Sequence, residues 1–551
     1  MTNRTDEAEN STAGRPAAAT LGQRWRRAGH WRDRTVGEDI RRAAREHPGA
    51  AVVFHGSAGP GLTTTLGELV ARGERVAAGF QRLGLEPGDA VAIQVPNWAE
   101  GAVAHIAGWL AGAVVVPIVP IYGPREVGFI LRQSAARVFV VARRWRDRDC
   151  AALLSRLPEL AGLRHVAVIG DELAGTVAWA ALEAEMAPLR PPVVRPDDRC
   201  LLVYTSGTTA DPKGVQHSHN TLLAEVHIMA ALRDAGADVR ALAAFPSGHV
   251  AGVLGLLRLL VRGVPTVVMD AWDGAAAARL VAEHRLTSSS GAPVYLATLL
   301  DEAERSGRDL SSLTEYMTGA ANVSPALIER AARAGIAAYR GYGSSEHPTI
   351  SSGRPDDPEI KRATTDGRVT PGNEVRIVDE DGRDLGEGAD GEIVARGPEQ
   401  FLGYLDAALD SGAFFPGRWL RTGDIGHLDA DGYLTVTGRK KDIIVRGGEK
   451  ISAKEVEDVL LGHPAVAEAA VVGAPDERYG ERVCAFVVPR PGTSLDLDGV
   501  RLHFAAAGLA RQKTPERLVI AAALPRTAAG KVRKHLLRDQ IQSDHLRTEE
   551  K

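Results

Sequence analysis

The stretch YTSGTTADPKGV (Tyr204–Val215) decides how the chain is read. Seven of its twelve residues are Thr, Ser, Gly or Lys, and it follows the apolar run Cys200-Leu201-Leu202-Val203. A strand delivering such a loop presents backbone N–H groups, the hydroxyls of Thr205, Ser206, Thr208 and Thr209, and the Lys213 ammonium. That set suits phosphate oxygens. The Walker pattern is absent, because Lys213 precedes Gly214 instead of standing in a Gly-Lys-Ser/Thr run that opens a helix. A Gly/Ser-rich surface turn has a similar composition, so the loop alone does not decide function.

Length and composition set the frame. At 551 residues the chain exceeds the ~250–300 at which single cores stop growing, so at least two domains are expected. Hydrophobic content of 44% and charged content of 25% are those of an ordinary globular protein. A net charge of -4 gives no global argument for nucleic acid or an anionic membrane as partner, and none is expected. Cys150, Cys200 and Cys484 lie far apart and match no metal spacing. The first residues lack an apolar leader, so residues 1–24 read as a disordered tail and the protein as cytoplasmic. The apolar stretch Val103–Tyr122 is interrupted by His105, Pro117 and Pro120, which predicts a buried helix followed by a strand rather than a membrane span.

Apolar β-rich runs alternate with helical patterns over most of the chain. Ala51–Phe54, Ala90–Val95, Val114–Val119, Val138–Val141 and Val166–Ile169 read as strands, and Leu66–Leu83 as a helix. Leu242–Phe245, Thr266–Met269 and Ala337–Tyr339 continue the alternation, which predicts an α/β fold with mainly parallel sheets. From Glu374 the pattern changes to short strands (Glu374–Asp379, Gly391–Arg396, Tyr433–Thr437) punctuated by Asp-Gly turns, the pattern of a small antiparallel barrel or sheet. After Lys441 a last unit reads strand, helix, strand, strand, helix: Ile443–Val445, Ser452–Leu461, Ala467–Val472, Val483–Val488 and Leu497–Ala507. The expected division is a tail (1–24), a large domain (25–440) and a small C-terminal domain (441–551).

Four further segments hold dense polar and glycine clusters at positions expected to be loops: GYGSSEHP (Gly341–Pro348), WLRTGD (Trp419–Asp424), GRKKDIIVRGGEKIS (Gly438–Ser452) and LPRTAAGKVRK (Leu524–Lys534). Together with YTSGTTADPKGV, in this order and spacing, they resemble the core motifs of the adenylate-forming (AMP-binding) superfamily, which includes acyl-CoA synthetases, peptide-synthetase adenylation domains and luciferases. The resemblance spans roughly residues 25 to 540. It implies a large N-terminal domain of two α/β subdomains plus a small β-barrel, followed by a small mobile α+β domain. It also implies a ligase that joins a carboxylate to the α-phosphate of ATP and passes the acyl group to a thiol, using ATP, Mg²⁺ and CoA.

The resemblance assigns roles residue by residue. Thr205, Ser206, Gly207, Thr208, Thr209 and Lys213 would hold the β- and γ-phosphates, with Ala210 where the family usually has glycine. Gly319, Ala320 and Ala321 would form the adenine wall. Tyr342 and Gly343 would lie along the base, with Ser345 near the α-phosphate in place of the family's threonine. Glu346, together with Thr205, would hold Mg²⁺, a hard cation that prefers oxygen ligands. Asp424 would accept from the ribose hydroxyls and Arg439 would lie beside ribose and phosphate. Lys531 would be the catalytic ammonium between the two reacting anions, where fixed positive charge lowers the barrier. Lys441 would be the hinge that swings Lys531 out and brings Gly447 and Gly448 to a thiol tunnel. Arg446, Lys450 and Lys454 are candidate partners for the CoA phosphate, and a solvated basic face explains them equally. His249 would line the passage between acid and thiol.

The acid pocket implied by the same mapping includes His249, Val250, Gly252, Ser290, Gly291, Ala292, Pro293, Gly319 and Gly341, none of them a carboxylate, lysine or arginine. An uncharged short or medium-chain, alicyclic or aryl acid is therefore expected. Several segments are most similar to cyclohexanecarboxylate and short- or medium-chain acyl-CoA ligases, and GHWRDRT is similar to a segment of siderophore aryl acid ligases. An acyl carrier protein or an amine stands as the alternative acceptor, and a non-catalytic adenylate-binding relative as the remote one. A monomer or homodimer is expected.

Overall fold

The computed structural model describes residues 20–549, apart from 58–60, 147, 206–211, 235–237, 447–448, 477–478 and 528–529. Two large sheets form its scaffold. The first has nine strands, in the order Arg368–Val369, Ser351–Ser352, Ala337–Tyr342, Glu315–Gly319, Ser288–Gly291, Ala241–Ala243, Thr266–Met269, Ala51–His55 and Leu62–Thr65. The second has eight, in the order Gly403–Tyr404, Lys213–Ser218, Arg199–Thr205, Val114–Pro117, Ala90–Gln94, Val138–Ala142, His165–Ile169 and Val177–Ala178. Strands such as Ala90–Gln94, Val114–Pro117 and Val138–Ala142 are buried along their whole length. Parallel strands covered on both faces need such continuous apolar runs.

Helices start where the sequence supplies caps. The Thr65 hydroxyl accepts from the Glu68 N–H at 3.3 Å and the Glu68 carboxylate accepts from the Thr65 N–H at 3.0 Å, which opens the helix Leu66–Arg82. This reciprocal pair satisfies two N–H groups that a helix start otherwise leaves without partners. The run read as helix then strand is so: Ala99–Leu110 is a buried helix and Val114–Pro117 a buried strand. No helix among the described residues is long and apolar enough to cross a membrane.

Downstream, Glu374–Val378, Gly391–Arg396, Phe414–Phe415, Trp419–Leu428 and Leu434–Arg439 form the expected small antiparallel element, a five-stranded sheet. A second five-stranded sheet follows, of Ile443–Arg446, Glu449–Ser452, Val466–Asp476, Gly480–Pro489 and Arg517–Ile520, packed with helices Ala453–Leu461, Leu497–Ala506 and Lys534–Glu549. The fold is thus mixed α/β with a large N-terminal and a smaller C-terminal part.

Residues 1–19 of the expected tail lie outside the described residues, and its end, 20–24, differs from expectation. Residues 20–27 are helical, and Trp25 is buried against Trp31 with ring centroids 5.0 Å apart. Trp31 donates its indole N–H to the Pro398 carbonyl at 2.8 Å, and Arg24 pairs with Glu374 at 2.7 Å. The tryptophans give this segment apolar area to bury, which the polar residues before it lack.

Candidate active site

Four neighbouring parallel strands of the nine-stranded sheet, Ala241–Ala243, Ser288–Gly291, Glu315–Gly319 and Ala337–Tyr342, end at one edge. The crevice beyond the carboxyl ends of such strands is where α/β sheets place ligands. Here the ends deliver the His249 loop, Ala292, the Gly319-Ala320-Ala321 turn and Tyr342-Gly343. Ala320 has φ +64, a left-handed conformation unusual for a residue with a Cβ. Gly319 lies level with Gly341 in the paired strands.

The strand Arg199–Thr205 enters from the other sheet and turns back as Lys213–Ser218, with Thr205 opposite Lys213. The connection is therefore a hairpin. The residues that the sequence places on its tip, Ser206, Gly207, Thr208, Thr209 and Ala210, lie outside the described residues. The Lys213 ammonium sits 5.0 Å from the centre of the Tyr404 ring. Tyr404 in turn donates its hydroxyl to Glu346 Oε1 at 2.8 Å, and its own ionisation is pushed up by burial and by that carboxylate. The backbone around Glu346 is held twice more: its carbonyl accepts from the Phe401 N–H at 2.8 Å, and the Ser345 carbonyl hydrogen-bonds His217 Nε2 at 2.8 Å. Burial lowers the His217 pKa to about 4, so it is a neutral ring.

Asp424 was expected on a loop with the rest of WLRTGD, yet these residues lie in the strand Trp419–Leu428. The polar cluster concealed the strand because Thr422-Gly423-Asp424 forms a bulge. Val394 pairs with Arg421 and Glu392 with Ile425, so extra residues are looped out between them. Gly423 at φ +70 permits this, and the bulge re-aims Asp424. Asp424, only 6% exposed, accepts from the Tyr342 hydroxyl at 2.9 Å and pairs with Arg439 at 2.9 Å. Arg439, also expected on a loop, is the last residue of the strand Leu434–Arg439, opposite Asp424. Its pKa is raised first by Asp424.

Lys531 comes from the C-terminal part. Its loop is fastened by the Thr527 N–H to the Lys531 carbonyl at 2.7 Å and by the Lys531 N–H to the Thr527 hydroxyl at 3.1 Å. Gly530 has φ +82, and a Cβ there would lie 3.6 Å from the Ala292 Cβ, so the loop tip enters the crevice beside the candidate acid pocket. Burial, aided by Arg439 and by Lys441, lowers the Lys531 pKa to about 8, while Asp424 and Glu346 act in the other direction. His249 caps the helix Val250–Arg262; burial, aided by Lys531, takes its pKa to about 4, and its Nε2 has no hydrogen-bond partner among the described residues. Lys531, Asp424, Arg439, Glu346 and His249 therefore share one crevice.

Lys441 lies in the short turn Lys440–Asp442 between the two small sheets, its pKa lowered by burial and by Arg439. Gly447 and Gly448 lie outside the described residues, as does the Lys450 side chain. Arg446 is engaged by Glu516 at 2.9 Å and stacks on Tyr479 at 4.1 Å, while Lys454 pairs with Asp458 at 2.9 Å. Asp458 also accepts from the Asn322 amide at 2.7 Å, which ties the C-terminal part to the turn after Ala321. The sequence reading missed Tyr404. Its only signal was an aromatic beside Gly403, on a two-residue strand.

Among the described residues no group of three or more His, Cys, Asp or Glu gathers to cage a metal. Glu346 with one oxygen held by Tyr404 and the other not so engaged fits a cation shared with phosphate oxygens, as Mg²⁺ commonly is. A carboxylate held by a tyrosine hydroxyl, a bulge aspartate paired to arginine, and an ammonium supplied by the C-terminal part meet in this crevice, an arrangement that suits a nucleotide-dependent acid-activating ligase.

The chain belongs to the AMP-binding enzyme family: the family model matches residues 40–405, and that of the AMP-binding enzyme C-terminal domain matches residues 455–531. It is an AMP-forming acid ligase within that family. It is 34% identical to the medium-chain fatty-acid–CoA ligase of Escherichia coli, over 94% of this chain and 92% of that protein. It is 33% identical to the salicyl-AMP ligase/salicyl-S-ArCP synthetase of Mycobacterium tuberculosis, over 96% of each. The anthranilate CoA ligase AuaEII, solved with anthranoyl-AMP, superposes with a TM-score of 0.83 at 25% identity, over 92% of this chain and 97% of that one.

Proposed function

We propose that the protein activates an uncharged short or medium-chain, alicyclic or aryl carboxylate as its acyl-adenylate and transfers the acyl group to CoA. The observation that carries the reading is the entry of Lys531 into the crevice that holds Asp424, Arg439 and Glu346. In the first step a carboxylate oxygen attacks the α-phosphorus; the new O–P bond forms as the α–β bridge bond breaks and pyrophosphate leaves. Both reactants are anionic, so a desolvated ammonium between them stabilises the transition state more than the separated reactants. Asp424 orients the ribose, Arg439 adds positive charge nearby, and Lys213 meets the outer phosphates. Mg²⁺, held by Glu346 and Thr205, would supply neutralisation of phosphate charge.

In the second step a thiol sulfur attacks the acyl carbon, AMP leaves, and the thiol proton passes to solvent. Lys531 has no task there. Rotation about Lys441 would withdraw it and present the Gly447-Gly448 loop, a hinge motion at residues between two rigid elements. His249, a neutral ring at neutral pH, orients acid or thiol without carrying charge. The uncharged lining of the acid pocket argues against a charged substrate tail. A carrier-protein thiol is the second reading, favoured by the salicyl-S-ArCP relative. Pyrophosphate release over a panel of straight-chain, alicyclic and aromatic acids, each with and without CoA, tests both. Release that rises steeply with CoA for one acid class supports the ligase; release indifferent to CoA moves the acceptor to a carrier protein or amine.

A further inference from the structure

Behind Glu346 lies a buried polar cluster that none of these steps uses. Glu225, on the helix His219–Arg233, is 3% exposed, and Glu399 and His347 are fully buried. The Thr349 hydroxyl donates to Glu225 Oε1 at 2.6 Å, and the Asn373 amide donates to Glu399 Oε1 at 2.6 Å and to the Thr349 carbonyl at 3.1 Å. His347 Nε2 stands 3.4 Å from Glu399 Oε1 without a hydrogen bond, and among the described residues no lysine or arginine pairs with either acid. Glu225 Oε2 and Glu399 Oε2 make no hydrogen bond of normal geometry among the described residues, and the two side chains face each other, with the Thr349 N–H also directed at Glu399. Two ionised carboxylates cannot share such a site. Packing is close: a Cβ on Gly397 would lie 1.6 Å from Asn373 Oδ1.

We propose that Glu225 is a protonated positioning residue whose O–H donates to the Glu399 carboxylate and thereby fixes the carboxylate of Glu346. The bond ties three segments that meet at Glu346. The helix bearing Glu225 continues from Lys213–Ser218, the strand leaving the phosphate loop. Thr349 and His347 belong to the turn that carries Glu346. Glu399 precedes Phe401, which donates to the Glu346 carbonyl, and Tyr404, which donates to its carboxylate. Burial raises both acids, Glu225 well above the usual range, which agrees with a retained proton on it. Glu225 and Glu399 do not contact Glu346 in any recorded bond; they act through the backbone and Tyr404. The inference rests on the reading of Glu346 as the metal carboxylate.

The test measures the Mg²⁺ dependence of pyrophosphate release and, separately, CoA thioesterification of a supplied acyl-adenylate, in Glu225→Ala, Glu225→Gln and Glu346→Gln. Glu225→Ala removes the donor, so half-saturating Mg²⁺ rises about tenfold while thioesterification stays within about twofold. Glu225→Gln restores a donor and returns the Mg²⁺ dependence to near that of the native protein. Should Glu225→Ala fail to fold, Thr349→Val, which removes the hydroxyl holding Glu225, shifts Mg²⁺ dependence in the same direction by a smaller factor. Unchanged Mg²⁺ dependence in Glu225→Ala, or in Thr349→Val where that variant replaces it, overturns the proposal if Glu346→Gln weakens Mg²⁺. Unchanged dependence in Glu346→Gln overturns the metal assignment itself. Equal loss of both half-reactions in Glu225→Ala and Glu225→Gln overturns the positioning role in favour of a general packing one.

Discussion

Replacing Lys531 with alanine separates the two half-reactions. Its ammonium is drawn into the crevice by a loop tip that meets Ala292, and desolvation there already brings its pKa to about 8. An ammonium about 4 Å from one developing charge, at an effective dielectric near 20, contributes about 4 kcal/mol. Each ~1.4 kcal/mol is a factor of ten in rate, so adenylation is expected to fall about 10³-fold. Losing one fixed donor to a developing oxyanion in other enzymes costs about 10²–10³-fold, which brackets the same figure. Thioesterification of a supplied acyl-adenylate should stay within about threefold, because the step forms no bond at phosphorus. The assay is stopped-flow pyrophosphate release on one side and CoA consumption with chemically prepared acyl-adenylate on the other. Equal loss in both would refute the assignment of Lys531 to one step only.

Three further outcomes follow from the site. Lys441→Pro, which fixes φ at the turn, should retain adenylation and lose thioesterification about 10²-fold or more; CoA consumption at the native rate removes Lys441 from the hinge. For kcat/KM of adenylation, the active form carries the Lys531 proton, so the rate is full below about pH 8 and falls as pH rises through that value. Lys531→Arg should erase that alkaline limb, and a limb that persists unchanged belongs to another group. Tyr404→Phe removes the hydroxyl on Glu346, and a lost bond to a charged group of about 1.5 kcal/mol raises half-saturating Mg²⁺ roughly tenfold; titration of pyrophosphate release with Mg²⁺ reads it, and an unaltered curve denies Tyr404 that role.

Much of the fold was legible because buried parallel strands require unbroken apolar runs, as in Val114–Pro117 and Val138–Ala142. Strands written in serine and glycine were not. Ser288–Gly291 carries no large apolar side chain, and at Gly291 none fits, because a Cβ would lie 2.3 Å from the Tyr316 hydroxyl. The helix Lys534–Glu549 went unread for a related reason, its apolar contacts among the described residues resting on few side chains such as Leu537 and Ile541. The site residues could be named from glycine and hydroxyl clusters, but not their support. Asp424 lies on a strand bulge, and Tyr404, Glu225 and Glu399 come from separate segments joined only by folding. The partner of Arg446 was equally invisible, because Glu516 is distant in the chain.

The central claim is that one crevice makes an acyl-adenylate and then spends it on a thiol. A single-turnover experiment with enzyme in excess, ATP and the best acid of the panel, quenched and read by mass spectrometry, addresses it directly. The account predicts acyl-AMP and pyrophosphate in equal amounts without CoA, then conversion of that acyl-AMP to acyl-CoA and AMP once CoA is added. ADP and phosphate as products, or acyl-CoA formed with no adenylate at any time, would contradict it.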